Sequence, residues 1–333
     1  MFMALTLPFF GRATGRNRLT SMIARRLVAG LLMLLAISLL IFAGLNLLPG
    51  DTATAILGQS ATPAAVQALK LQLGLDQPAG WRYLHWLGGV VQGDFGVSLT
   101  SRENISVALW ERLKNTLFLA GSTALVAVPV ALTIGFVSVR FHGGWVDTLL
   151  NLLTRAAVAL PEFFSGYLLI FIFSMSLAWL PSNSSVQVDM PVSARLMAIT
   201  LPVLTLVLAV LGHMSNMTRA ALLSAQRSSY IDTAILKGLS PMRVLWRHVL
   251  PNAWGPIINV IVLNMAYLMV GVVIVENVFV YPGLGQYMVD SISKRDIPVV
   301  QGCALVLSAV YILLNLFADA VSLLTNPRIR HGT

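Results

Sequence analysis

Lys70, Lys114, Lys237 and Lys294 are the four lysines of this chain, and none of them follows a glycine. A phosphate-cradling loop needs Gly-Lys ahead of Ser or Thr, so that backbone amides surround the phosphates. The pattern is absent, and any nucleotide chemistry must come from another chain. The histidines at 85, 142, 213, 248 and 331 form no i,i+4 pair around a glutamate, which removes the zinc-protease pattern. No catalytic group and no metal ligand set is expected. What remains is a sparse set of polar groups inside apolar runs. Glu162, Glu276 and Asp319 are carboxylates of this kind, and one at the centre of a membrane helix costs about 2.5–3.5 kcal/mol. Near a run's end the cost shrinks, so pairing is expected for Glu162 and Asp319, whereas Glu276 could pair with a neighbouring subunit or a loop backbone, or act in a gate. His213 reads as a packed polar residue. Ser215, Asn216, Asn259, Asn264 and Tyr267 could line a polar pathway, and interhelical hydrogen bonding explains each equally well.

The elements that position these groups follow from composition. Of 333 residues 57% are hydrophobic and 11% charged, against about 25% charged in an ordinary soluble domain. The apolar residues come in long runs, and about 20 of them as a helix cross the hydrocarbon layer. Six runs qualify, at about 27–48, 116–139, 156–179, 196–214, 256–275 and 302–324, the third interrupted by Pro161 and Glu162. The fold class is therefore all-α, a polytopic membrane protein with six spans. Its net charge of +9 lies mostly between the runs, where lipid headgroups explain it better than nucleic acid does. The lone Cys303 falls inside a run and reads as a small core residue.

Basic residues set the orientation. With the N-terminus inside, the inner segments carry fourteen of the 22 Lys and Arg: five before the first span, Arg140, Arg155, five from Arg219 to Arg247, Arg328 and Arg330. Five of the other eight lie in the long loop 49–115, and such loops translocate largely regardless of charge. Both termini, 1–26 and 326–333, are expected in the cytoplasm. The Arg-rich start superficially resembles a transit peptide, but the following apolar run is too long for a signal core and reads as a retained anchor, with Met22 an alternative start. In the outer loop, Gly74-Leu75-Asp76-Gln77-Pro78 predicts a turn, Trp81 to Leu87 a short amphipathic helix, and Gly93-Asp94-Phe95-Gly96 a second turn. The loop is expected to fold against the membrane surface.

The segment 225–253, between the fourth and fifth spans, is the most informative. Ser229-Tyr230-Ile231-Asp232 has capping-box spacing, so a short helix should start at Ser229 and run through Lys237. Gly238 suits a left-handed stop. Ser240 and Pro241 suit the cap and first position of a second short helix, carrying Arg243, Arg247 and His248 before Leu250-Pro251-Asn252. Two short helices with a glycine joint, and small residues such as Ala234, fit docking to a cytoplasmic partner; a solvated re-entry loop fits equally well on this chemistry alone.

Asp232-Thr233-Ala234, then Gly238, then Leu250-Pro251 resembles the EAA motif of ABC-importer permeases. Lys237-Gly238-Leu239-Ser240 and Arg247 to Ala253 resemble its peptide and nickel branch. Leu48-Pro49-Gly50-Asp51, Leu73-Gly74-Leu75-Asp76, Glu276 to Gly285 (with Tyr281, Pro282 and Gly283), Arg295 to Gly302, and Asn326-Pro327-Arg328-Ile329-Arg330 extend the likeness over nearly everything from Met22 onward. Asp232 and Thr233 stand where the motif has glutamate and alanine, and Asn326 where the branch often has aspartate.

The resemblance implies a type I importer permease in a bacterial inner membrane. Its partners would be a second permease subunit, identical or homologous, two ATP-binding subunits holding ATP and Mg, and an extracytoplasmic solute-binding protein, with no cofactor in this chain. It implies that Tyr230, Asp232, Thr233, Ala234, Lys237, Gly238, Leu239, Arg247 and Pro251 couple to the ATPase, and that Glu276, Tyr281, Pro282, Gly283 and Gly285 belong to an outer loop or gate. Branch members move di- and oligopeptides, glutathione, nickel chelates or antimicrobial peptides. An ion-coupled carrier would need interrupted helices repeated in matching positions, and the sequence shows no such symmetry; a scaffold without transport is the third reading.

Overall fold

A computed structural model describes residues 15–47, 52–57, 61–72, 74–186 and 190–325. The tail before Gly15, the motif at 48–51, Leu73 and the closing 326–333 therefore lie outside the described residues. Thirteen α-helices are described: α1 (Gly15–Leu47), α2 (Thr52–Leu57), α3 (Pro63–Gln72), α4 (Ala79–Val91), α5 (Ile105–Arg140), α6 (Trp145–Ala159), α7 (Glu162–Leu169), α8 (Val192–Gln226), α9 (Ser229–Leu236), α10 (Pro241–Val244), α11 (Leu250–Val278), α12 (Leu284–Ser293) and α13 (Ile297–Thr325). Two stretches are π-helical, Ile170–Ser176 after α7 and Leu245–Val249 between α10 and α11.

Among the described residues five helices are long and apolar enough to cross a membrane, and the bent pair of α6 with the stretch from α7 makes a sixth if it is one span. The interruption expected at Pro161 and Glu162 in the third run is a sharp bend: α6 and the helical stretch Glu162–Ser176 meet at 103°. Pro161 forces the residue before it out of the helical region, and Leu160 is extended at ψ 125°. Elsewhere the helices outrun the apolar cores read from the sequence. The fifth span is continuous from Pro241, so the second short helix expected before it, α10, is the root of that span. The π-turn at Leu245–Val249 stands just before Pro251, where a wider turn accommodates the missing amide and the ring.

The centre is α5, α8 and α11, sharing a core that includes Leu119, Leu206, Val210, Leu268 and Val272. Pro202 lies inside α8 and strips the Ala198 carbonyl of its helical donor. The Ser184 hydroxyl donates to that carbonyl at 2.6 Å. Cys303 is buried beside Ile105, Leu109, Leu284 and Val299, as a small core residue. At the edge, α1 packs on α13 and shows Leu31, Leu32, Leu39 and Leu40 outward. That is the surface a helix presents to lipid.

Polar clusters gather at the two ends of the bundle. At the α9 end, Arg26 of α1 pairs with Asp319 of α13, which is the pairing expected for Asp319. Buried Asp147 is held there bidentately by Arg219, through Nη2 at 2.8 Å and Nε at 3.0 Å. Ser138 and the Gly143 amide also donate to Asp147, and His142 Nδ1 lies 3.0 Å away. One carboxylate thereby ties the end of α5, the start of α6 and α8 together.

Candidate coupling loop, outer cap and pathway cleft

The α8–α9 turn is built from three local decisions. Ser228, not Ser229, is the N-cap of α9, and no side chain caps that end. The capping box is thus not formed, and Asp232 faces outward on the first turn. At the other end Gly238 has φ +76°. Its amide donates to the Ile235 carbonyl at 2.9 Å, and the Leu239 amide to Ala234 at 3.4 Å. These two bonds are the double closure of a left-handed helix stop. Ser240 then stands at the N-cap and Pro241 at the first position of α10, as the sequence predicts.

The faces of α9 divide cleanly. Ile231 and Ala234 are buried with Val139 of α5, Leu222 of α8, and Val244, Leu245 and Val249. Ala234 is therefore small because α9 lies on its own bundle, not to admit a partner. Tyr230, Asp232, Thr233, Lys237 and Gly238 are exposed, and Leu239 is half-buried. Ile235 at 58% and Leu236 at 87% exposure complete this outward face. Neither was singled out from the sequence, although their apolar character beside the glycine stop was the available signal. Arg247 and Pro251 are exposed at the root of the fifth span.

At the opposite end, Glu276 is fully buried and closes the start of α12. Its Oε2 accepts from the Gly285 amide at 2.6 Å and the Gln286 amide at 3.3 Å, and its Oε1 from the Thr116 hydroxyl at 2.6 Å. Thr116 Oγ1 in turn accepts from the Leu284 amide at 2.9 Å. A carboxylate on the first amides of a helix replaces the missing cap and meets the positive end of its dipole. Of the options open for Glu276, the loop backbone is the one found. The glycines are part of this arrangement: a Cβ on Gly283 would fall on the Glu276 carboxylate, and one on Gly285 would lie 2.6 Å from the Val273 backbone.

Tyr281 is buried beside this cap, and its hydroxyl donates to the Asn115 carbonyl at 2.9 Å. Burial pushes its phenol up to about 12, so it stays a donor. Asn115 Nδ2 donates to the Pro282 carbonyl at 2.9 Å, and its Oδ1 accepts from Arg195 at 3.0 Å. Asp296 makes a second clamp. It accepts from the Ser98 hydroxyl at 2.5 Å, the Leu99 and Thr100 amides at 3.2 and 3.1 Å, and the Thr100 hydroxyl at 2.8 Å. No local pattern joins residues 198 positions apart, and the clamp was not foreseen.

The pathway candidates separate into two groups. Asn264 and Tyr267 line an open cleft of about 690 Å³ between the α6–α7 bend and α11. Glu162 and His213 line it too. His213 is exposed, not packed, and among the described residues Glu162 Oε2 has no hydrogen-bond partner, so the pairing expected for Glu162 is not made by them. Ser215 and Asn216 lie elsewhere. The Ser215 hydroxyl donates back to Leu211 at 2.7 Å, and Asn216 accepts from Thr154 of α6 at 3.4 Å. Asn259 is half-buried on α11, away from the cleft lining. The described residues hold no group of three His, Cys, Asp or Glu side chains that could take a metal.

Comparison with known proteins identifies the family. Residues 127–331 match the family model described as binding-protein-dependent transport system inner membrane component, and residues 19–120 its N-terminal companion. A "Probable peptide ABC transporter permease protein" of Sinorhizobium fredii is 34% identical over 93% of this chain and 99% of its own length. The glutathione transport system permease protein GsiC of Escherichia coli is 34% identical over 93% of this chain and 98% of its own. A solved MetNI methionine ABC transporter chain aligns with a TM-score of 0.48 at 16% identity, over 67% of this chain and 96% of its own. The chain belongs to the binding-protein-dependent transport system inner membrane component family, and is a non-catalytic permease subunit of an ABC transporter.

Proposed function

We propose that the chain forms half of a peptide translocation pathway in a bacterial inner membrane, with α9 as the element gripped by an ATPase subunit. The observation that carries this reading is the two-sided α9. Its inner face is fixed into α5, α8 and the root of α11, while Ile235 and Leu236 project from its outer face. A displacement of α9 therefore moves three long helices as a body. The α9 end carries most of the basic inner segments, which supports a cytoplasmic α9 and cytoplasmic termini.

In this scheme a second permease subunit, the same or homologous, faces the cleft of Glu162, His213, Asn264 and Tyr267. Two ATPase subunits bind ATP and Mg and hold one α9 each. A solute-binding protein delivers substrate at the end closed by Glu276 and Asp296. ATPase closure then swings the α9 handles and alternates access. The peptide reading rests on the two sequence relatives.

The test is uptake into proteoliposomes carrying the full complex and its binding protein. Dipeptides, oligopeptides and glutathione are compared with a nickel chelate. ATP-dependent accumulation of a peptide supports the proposal; accumulation of the chelate alone overturns the substrate. Uptake that persists without ATP, driven by an ion gradient, overturns the class.

A further inference from the structure

At the end bearing the Asp296 clamp, α4 lies against the outer half of α1. Tyr83 shares a 2.7 Å hydrogen bond with Ser38, and its ring packs tilted at 54° on Phe42 with centroids 5.2 Å apart. Arg82 Nη2 donates to Asn46 at 2.7 Å. Between α4, α1 and the start of α13 is a cavity of about 510 Å³. Arg82 and Trp86 face it from α4, four residues apart on one face, and Gln301 faces it from α13.

Each of these three side chains holds a buried donor without an acceptor among the described residues: Arg82 Nε, Trp86 Nε1 and Gln301 Nε2. Gln301 is itself 97% buried, at 3% relative exposure. A buried orphan donor is rare and destabilising; three of them belong to residues that line one cavity, and a single partner there would serve all three. That partner is rich in acceptors and accepts a guanidinium, an indole N–H and an amide N–H together. Asp94, the carboxylate on the cavity wall, is already engaged by the Gly96 amide at 2.8 Å.

We propose that this cavity binds an oxyanion, a phosphate or phosphodiester group, on the three donors of Arg82, Trp86 and Gln301. The group could be presented by a phospholipid headgroup or arrive free in solution. The setting is suited to the former: Trp81 and Leu84 of α4 and Leu39, Leu40 and Leu47 of α1 are exposed around the site, as an interfacial helix and a lipid-facing span would be.

The experiment uses the intact transporter complex purified in a phosphate-free maltoside detergent and buffer. Thermal unfolding is followed while short-chain phosphatidylglycerol, or inorganic phosphate in a separate arm, is titrated in. Wild type is compared with Trp86→Phe/Gln301→Leu, which removes two donors at similar volume, and with Arg82→Gln. The expected result is saturable stabilisation of wild type, with half-saturation shifted about tenfold or more in each variant. Without added anion the double variant is at least as stable as wild type, because orphan donors have been removed. Protection by the lipid alone assigns the site to a headgroup; protection by phosphate as well assigns it to a soluble anion. Equal protection of wild type and variants, or none of either by both probes, overturns the proposal.

Discussion

Glu276 and Gly283 offer a test in which two damaging changes should partly cancel. Gly283 is extended, at φ −101° and ψ −175°, a conformation open to any residue, so alanine there carries no backbone strain. All three atoms nearest its added Cβ belong to the Glu276 carboxylate, and all lie too close for it to fit. Gly283→Ala must therefore displace the carboxylate from the Gly285 amide and the Thr116 hydroxyl, both at 2.6 Å. Losing these buried bonds costs about 1.5–3 kcal/mol each, hence roughly 3–6 kcal/mol. Glu276→Ala loses the same bonds directly and vacates the same space. The double variant should then be little worse than Glu276→Ala, so the coupling is close to the whole Gly283→Ala loss, roughly 3–6 kcal/mol. Thermal unfolding of the purified complex in detergent measures all four corners of the cycle. Strictly additive losses would refute the assignment of Glu276 as the cap of α12. Glu276→Gln keeps an acceptor on the amides and should rank between wild type and Glu276→Ala.

Other sites give further expectations. Gly238 has φ +76° with open space around its Cα, so Gly238→Val should spare membrane insertion yet uncouple ATP hydrolysis from uptake, while Gly238→Asn stays near wild type; full uptake by the valine variant counts against a docking role. Arg219→Leu leaves buried Asp147 without its bidentate partner and should cost about 3–5 kcal/mol, read as a large drop in the unfolding midpoint. An unchanged midpoint would show that this pair does not hold α8 to α6. Val280 is a β-branched residue at φ +51°, strained by about 1–2 kcal/mol. Val280→Gly should thus match or exceed wild-type stability despite glycine's entropic cost of about 0.5–1 kcal/mol, and a clear loss would contradict the strain.

The membrane helices were legible because hydrocarbon admits only long apolar runs with satisfied backbones. The helix stop at Gly238 was legible because few other residues take positive φ. The bend at Leu160–Pro161 was marked by its proline, but its angle depends on α6 packing against α8 through contacts such as Asp147–Arg219. Two adjacent serines hid the true start of α9, since Ser228 and Ser229 offer the same chemistry and neither side chain caps it. The inward turn of Ala234 depended on which side of α9 meets Leu222 and Val244, a tertiary fact. Partnerships such as Asp296 with Ser98 and Ser184 with Ala198 leave no local pattern. They arise wherever folding brings an unfilled acceptor beside a free hydroxyl.

The proposed coupling sets α9 against an ATPase subunit on the cytoplasmic side. Leu236 is 87% exposed at its tip, and the only natural cysteine, Cys303, is buried. Leu236→Cys therefore presents one reactive thiol. In the assembled transporter it should react with an impermeant maleimide only from the cytoplasmic face, and a short bifunctional reagent should join it to the ATPase subunit. Labelling from the outside of intact cells, or a complete complex in which no such crosslink forms, would contradict the account.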